Sequence, residues 1–264
     1  MPNVLPALFV AWQNPATRCF YPVGRLAQIE GDGGDVCFEF AYIQGARLAT
    51  GFQPFPSFPD LCQVYRAKEL FPMFENRLVS PKRADFPEYI AQLALPGTTT
   101  SPITILSRST GLRTTDTLEL FPLPEFESDH GYRTWFWAHG IRYLPPEGLD
   151  RLLRLEPGEQ VFPQCDVENP VDPSAIELLS DDDLRIGYMP SYLLDDAHAL
   201  EENCHSGKVY VDRINPPPAP IQQRLLLRLE AFCPEGFVPY ATPRYQPLSD
   251  EAATIQRAIL EDTN

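Results

Sequence analysis

Apolar residues along this chain recur in short runs divided by proline, glycine and acidic turns, the pattern of many short strands and few helices. Residues 7–13 (Ala-Leu-Phe-Val-Ala-Trp-Gln), 19–27 and 36–43 predict three strands. The loop Glu30-Gly31-Asp32-Gly33-Gly34-Asp35 between the last two is a hairpin signal. It is rich in acids and lacks a lysine, so it reads as a turn, not as a phosphate cradle. From Thr50 to Pro59 phenylalanine and proline alternate in an extended segment whose rings are expected to pack on the sheet. Helical pieces are expected near Leu61–Glu69 and Phe86–Leu95. Pro96-Gly97-Thr98-Thr99-Thr100 is a breaker before Ile103–Ser107, and Leu118–Pro124 and Tyr132–His139 follow as strands. Gly148–Leu155 predicts a short helix, and Val161–Cys165, Ala175–Leu179, Leu184–Met189 and Lys208–Ile214 continue the strand series. Pro216 to Pro220 is a stiff connector into a predicted amphipathic helix, Ile221–Phe232, with Ile221, Leu225, Leu229 and Phe232 on one face. A capped helix is expected from Ser249 to Asp262.

Composition supports a mainly β protein with peripheral helices, an α+β class. The 29 prolines are about twice the usual share, and proline interrupts helices and central strands alike. With 264 residues, 44% of them hydrophobic, the chain can fill two ordinary cores. A net charge of −15 repels nucleic acid and anionic lipid over the molecule as a whole, so binding to either would need a local patch. No apolar run approaches the roughly 20 residues that span a bilayer, and Met1 to Val10 lacks a basic leader region. The expectation is a cytoplasmic protein with no membrane partner. Six scattered cysteines read as free, mostly buried thiols. Cys204 next to His205 is a poor zinc pair, and Asp181-Asp182-Asp183 reads as a solvated loop. No Gly-x-Ser-x-Gly elbow, His-Glu-x-x-His helix or Walker loop is present. The chain is expected to be noncatalytic and to need no cofactor.

Two segments resemble known families. Val23-Gly24-Arg25-Leu26, Phe38-Glu39-Phe40-Ala41-Tyr42 and Leu70-Phe71-Pro72-Met73-Phe74-Glu75-Asn76-Arg77-Leu78, within about 7–95, are similar to the small N-terminal subdomain of HipA-type kinases. The kinase portion that follows in that family has no counterpart here. The resemblance implies a detached regulatory subdomain, an antitoxin-like accessory that partners a HipA-type kinase in trans.

The second covers about 137–235. Gly140-Ile141-Arg142-Tyr143, then Asn169-Pro170-Val171-Asp172, then Ile186-Gly187-Tyr188, in that order, resemble the HIRAN domain of fork-remodelling translocases. This implies an OB-like β-barrel that binds the 3′ end of single-stranded DNA. By position, Arg142 would sit near a phosphate, Tyr143 would stack on a base and Asp172 would accept from the terminal hydroxyl, with Asn169 and Tyr188 completing the site. Val171 stands where the DNA-binding members carry a second aromatic, and Ser191 where they carry a lysine. Residues 138–240 hold 8 Lys and Arg against 18 Asp and Glu, the reverse of a backbone-binding footprint. A protein or nucleotide ligand therefore stays open.

Each of these residues also has a structural reading. Asn169 and Asp172 can cap a turn, Arg142 and Tyr143 can be a half-buried strand pair, and Tyr188 can belong to the core or rim. The domain organisation expected is a HipA-like subdomain over 1–97, a connecting β segment over 98–136, a HIRAN-like barrel over 137–235 and a helical tail over 236–264. The function expected is recognition of nucleic-acid ends.

Overall fold

Strand pairing organises the computed structural model, which describes residues 3–30, 35–99, 101–113, 116–126, 131–204, 207–234 and 236–261. Contacts divide the chain into two units, Met1–Leu123 with Val238–Asn264, and Pro124–Phe237. The residues expected as a connector, 98–136, are thus shared between the units, and the segment expected as a separate tail belongs with the first.

The first unit is a five-stranded antiparallel sheet. Its elements are β1 (Asn3–Gln13), β2 (Phe20–Glu30), β3 (Val36–Tyr42), α1 (Gly45–Leu48), β4 (Tyr65–Ala67), α2 (Pro72–Glu75), α3 (Phe86–Gln92), α4 (Pro102–Ser109) and β5 (Leu118–Pro122). The strand order is β4-β3-β2-β1-β5. The HipA-like motifs fall on β2 and β3, where Gly24 pairs with Tyr42 and Leu26 with Phe40, and on α2. Leu8, Val10, Leu26 and Phe40 line the inner face against Phe58, Phe74, Ile103 and Leu106. The Phe-Pro segment contributes its rings as expected, with Phe40 and Phe58 stacked at 4.3 Å.

One expectation fails here. Leu61–Glu69 holds no helix; Asp60 Oδ1 accepts from the Cys62 amide and the Tyr65 hydroxyl accepts from the Asp60 amide, so a turn leads into β4 instead. Ile103–Ser107, behind the breaker, lies in α4, where Ser101 Oγ caps the Thr104 amide and Pro102 occupies the first turn.

Tyr42 anchors the aromatic layer. It is 1% exposed, its hydroxyl donates to Phe58 O (2.9 Å) and accepts from the Phe55 amide (2.7 Å). Burial pushes its pKa up to about 12, against the Phe55 hydrogen bond, which lowers it. A raised pKa means that this contribution is whole below the unfolded value of 10 and disappears as pH climbs toward about 12. Tyr42→Phe leaves a buried amide unpaired and is expected to cost about 1–3 kcal/mol at pH 8. Urea unfolding should show that difference shrinking between pH 10 and 12, where the parent alone loses the Tyr42 contribution.

The second unit contains β6 (Glu125–Phe126), β7 (Gly131–Trp137), α5 (Pro146–Leu152), β8 (Gln160–Cys165), β9 (Ile176–Leu179), β10 (Arg185–Tyr188), α6 (Leu194–Cys204), β11 (Lys208–Ile214) and β12 (Leu225–Phe232). Its sheet runs β10-β9-β8-β11-β12-β7-β6, with every pairing antiparallel. The predicted amphipathic helix at Ile221–Phe232 is overturned. After a single 3-10 turn, Ile221–Gln223, the chain forms β12 between β11 and β7. Leu225, Leu226 and Leu227 are buried in succession. A strand covered on both faces accommodates that, whereas a surface helix would expose at least one of them. α6 was not anticipated, although Leu193, Ala197 and Leu200 recur at helical spacing and Asp195 and Asp196 stand in its first turn.

His139, just beyond β7, and Tyr188, the last residue of β10, form an antiparallel bridge with two 2.9 Å backbone hydrogen bonds. The order β7-β12-β11-β8-β9-β10 therefore returns on itself through one bridge, not through a complete ladder. The chain ends in the first unit with α7 (Asp250–Glu261), where Ile255 packs with Ala7, Ala27 and Ile29.

The cysteines depart from expectation. Cys19, Cys37, Cys62 and Cys165 are free; none of these, nor Cys233, is buried, and Cys62 and Cys165 are exposed. The side chain of Cys204 and all of His205 lie outside the described residues. Asp181 and Asp182 are solvent-facing yet not idle: both bind Arg151 (2.6 and 2.8 Å), as does Glu159. The hydrogen bond that Arg151 donates to Glu159, ahead of those it donates to the aspartates, raises its pKa.

Candidate nucleic-acid interface

The site grows out of the His139–Tyr188 bridge. Beyond it, Gly140 turns the chain with φ +74°, a left-handed conformation, into the 3-10 turn Ile141–Tyr143. Ile141 is buried, and Arg142 and Tyr143 project outward. A Cβ on Gly140 would lie 2.9 Å from Cδ2 of Tyr188, so the turn rests directly on that ring.

Tyr188 in turn holds the 166–175 loop. Its hydroxyl donates to Asp166 Oδ2 (2.9 Å) and accepts from Arg185 Nη1 (2.7 Å), and the Arg185 guanidinium lies 5.3 Å from the centre of its ring. A register shift between Arg185 and Gly187 lets Arg185 and Tyr188, three apart in β10, meet. Asp166 Oδ2 also accepts from Asn169 Nδ2 (3.1 Å). The Tyr188 hydroxyl, then the Asn169 amide, hold the Asp166 carboxyl below its ordinary range. Partial burial first, and Asp166 second, push the Tyr188 phenol up. At neutral pH the pair is a phenol donating to a carboxylate, as their ordinary ranges dictate, and the opposed shifts reinforce that polarity.

Asn169 and Asp172 shape the loop itself. Asn169 Oδ1 accepts from the amides of Val171 (3.0 Å) and Asp172 (3.1 Å), and Asp172 Oδ1 accepts from the amide (2.9 Å) and hydroxyl (2.6 Å) of Ser174. These are turn-capping bonds. His198 Nε2 on α6 donates to the carbonyl of Ser174 (3.0 Å), clamping the far end. Asp172 keeps Oδ2 clear of any hydrogen bond to a described residue, and Val167 (74% exposed) and Val171 (63%) point outward.

Four of the five anticipated residues are linked step by step. Asp172 and Asn169 join through the turn, Asn169 and Tyr188 through Asp166, and Tyr188 bears the turn that presents Tyr143. Tyr143 is 74% exposed, not half-buried in a strand as the structural reading had it, and Arg142 lies in the same 3-10 turn. Arg142 makes no ion pair or hydrogen bond with a described residue, whereas Arg151, Arg185 and Arg228 are each matched by carboxylates. Sequence reasoning missed Asp166 and Arg185. Asp166 stands three residues before Asn169, a spacing that a turn brings together, but nothing in the sequence tied either to Tyr188.

Among the described residues no group of three or more His, Cys, Asp or Glu is placed to hold a metal, and no helix is long and apolar enough to cross a membrane. No family model matches the chain, and no curated protein matches it. Among solved structures, a protein from Lactobacillus plantarum shares 21% identity, with 38% of this chain and 96% of that one covered and a TM-score of 0.30. The HIRAN domain of human HLTF shares 16% identity over 50% of this chain and 88% of that domain, also with a TM-score of 0.30. Both lie below the level from which a shared function follows.

Proposed function

We propose that the second unit is a noncatalytic module that binds single-stranded DNA at a free 3′ end. The observation that carries this reading is the His139–Tyr188 bridge: it sets an exposed tyrosine and an unmatched arginine beside a loop that offers an uncommitted carboxylate oxygen. The three groups divide the work by their chemistry. The Tyr143 ring stacks on a base, worth about 1–3 kcal/mol and indifferent to its identity. The Arg142 guanidinium meets a backbone phosphate. Asp172 Oδ2 accepts from a hydroxyl and repels a terminal phosphate, so it selects the unphosphorylated end. The order of motifs that resembles the HIRAN family supports the same assignment. The acidic surface holds affinity down, and one arginine–phosphate contact gives only a shallow salt dependence.

Fluorescence anisotropy with labelled oligothymidylate at about 50 mM salt tests this. A 3′-hydroxyl strand should bind at least about tenfold more tightly than its 3′-phosphorylated twin, an energy near 1.4 kcal/mol. Asp172→Ala should erase the preference, and Tyr143→Ala should weaken both strands by roughly 5- to 150-fold. Equal weak binding to both ends, unchanged by Asp172→Ala, would remove the proposal.

A further inference from the structure

A hollow of about 410 Å³ opens in the first unit, remote in sequence from the residues just discussed. Its walls come from β1, the Phe-Pro segment, α2 and the approach to β5: Trp12, Phe55, Met73, Asn76, Arg77 and Arg113 among them, with Asp116 at one side. The volume falls within the roughly 300–1,000 Å³ of small-molecule sites.

Its two arginines are in different states. The Arg77 side chain is 3% exposed and fully engaged: Nε donates to Met73 O (3.1 Å), Nη1 to Gly111 O (2.7 Å), and Nη1 and Nη2 to the two oxygens of Asp116 (3.1 and 2.5 Å). That pair is electrically balanced and serves as a fixed wall. Arg113 is exposed and forms no ion pair or hydrogen bond with a described residue. Asn76 likewise holds its side-chain amide free of described partners. The hollow therefore offers one unspent positive charge and one amide donor. Its apolar lining includes the Trp12 ring, packed edge-on against Phe52 at 5.5 Å, together with Phe55 and Met73.

From this we infer that the hollow binds a small carboxylate with an apolar, preferably aromatic, body. A planar carboxylate matches the fork of one guanidinium, and Trp12 and Met73 accept the apolar part. A phosphate ester would bring a second negative charge toward Asp116, whose carboxylate is one-third exposed at the same rim. One cation therefore selects a monoanion.

The test follows tryptophan fluorescence of the full chain during titration with phenylacetate and, separately, with the neutral phenylacetamide. Phenylacetate should quench saturably with a millimolar or tighter constant, and phenylacetamide should bind at least tenfold more weakly. Arg113→Gln should remove the difference between the two, and Met73→Trp, which fills the hollow, should abolish both. A urea unfolding midpoint within the parent's error for Arg113→Gln separates loss of the site from loss of the fold. No saturable quenching by phenylacetate, equal binding of the amide, or an Arg113→Gln variant that still discriminates would each overturn the assignment. None of these readouts depends on DNA binding by the second unit.

Discussion

Replacing Glu39 by glutamine should lower the stability of the first unit by about 3–5 kcal/mol, the cost of leaving a buried cation unmatched. Glu39 is fully buried, and its two oxygens serve two arginines. Oε1 accepts from Arg25 Nη2 (2.9 Å), and Oε2 from Arg66 Nε (3.1 Å) and Nη2 (2.9 Å). Arg25 is 1% exposed. Burial pulls its pKa down and Glu39 opposes that pull, so the carboxylate is the partner that balances this buried charge. Register explains the meeting: Glu39 lies opposite both Arg66 on β4 and Ala27 on β2, two residues along from Arg25. Arg25 Nη1 also donates to Ala252 O (3.2 Å) and Arg66 Nη1 to Glu251 (2.7 Å), so the same carboxylate organises the contacts that fasten α7. Arg25 Nε has no partner even in the parent, and the variant would leave Nη2 facing a weaker acceptor. Urea unfolding should show a lower midpoint with an unchanged slope. Arg25→Met combined with Glu39→Leu should recover much of the loss, because a buried pair is worth little against apolar residues of similar size. A cost below 1 kcal/mol for Glu39→Gln, or a double variant no better than the single, would contradict this account.

That network also marks where sequence reading stopped. Strands β1 to β3 were legible from short apolar runs and from a polar turn, and the helix at α7 from its cap at Ser249. Glu39 was visible only as part of a motif. A lone carboxylate inside an apolar strand shows no sign of its partners when these come from the neighbouring strands and from a helix more than 200 residues away. The helix expected over Ile221–Phe232 failed for a related reason. Ile221, Leu225, Leu229 and Phe232 do fit a helical face, but Leu226 and Leu227 fit only burial on both sides, and period alone cannot arbitrate a short apolar run. Phe232, the fourth of that face, is 60% exposed at the end of β12. In the candidate interface, Arg142, Tyr143 and Tyr188 were singled out by the order of the motifs alone, and Asn169 and Asp172 by turn chemistry as well. Asp166, the atom-level link between two of those motifs, was one of many acids in an acidic chain. Only the register shift in β10, a property of the paired strands, selects it.

Gly140→Ala should therefore be the most informative single change in the second unit. Two costs add at this position. A left-handed φ of +74° burdens any residue with a Cβ by about 1–2 kcal/mol. The new methyl would also sit 2.9 Å from Cδ2 of Tyr188, a contact that must push the ring or the turn aside at about 1–3 kcal/mol. Gly158→Ala supplies the comparison: its φ is +89°, but a Cβ there meets nothing within 4 Å, so it carries the first cost without the second. Stability by urea unfolding should fall by about 2–5 kcal/mol for Gly140→Ala and by no more than about 2 for Gly158→Ala. Binding should separate the two further. Displacing the Tyr188 ring shifts the turn that presents Arg142 and Tyr143 and the Asp166 link that holds Asn169 and Asp172, so oligothymidylate affinity should drop at least tenfold. Gly158→Ala, which touches neither, should bind as the parent does. Equal affinity in all three proteins would show that the Gly140–Tyr188 contact does not position the interface, even if the stabilities fall as stated.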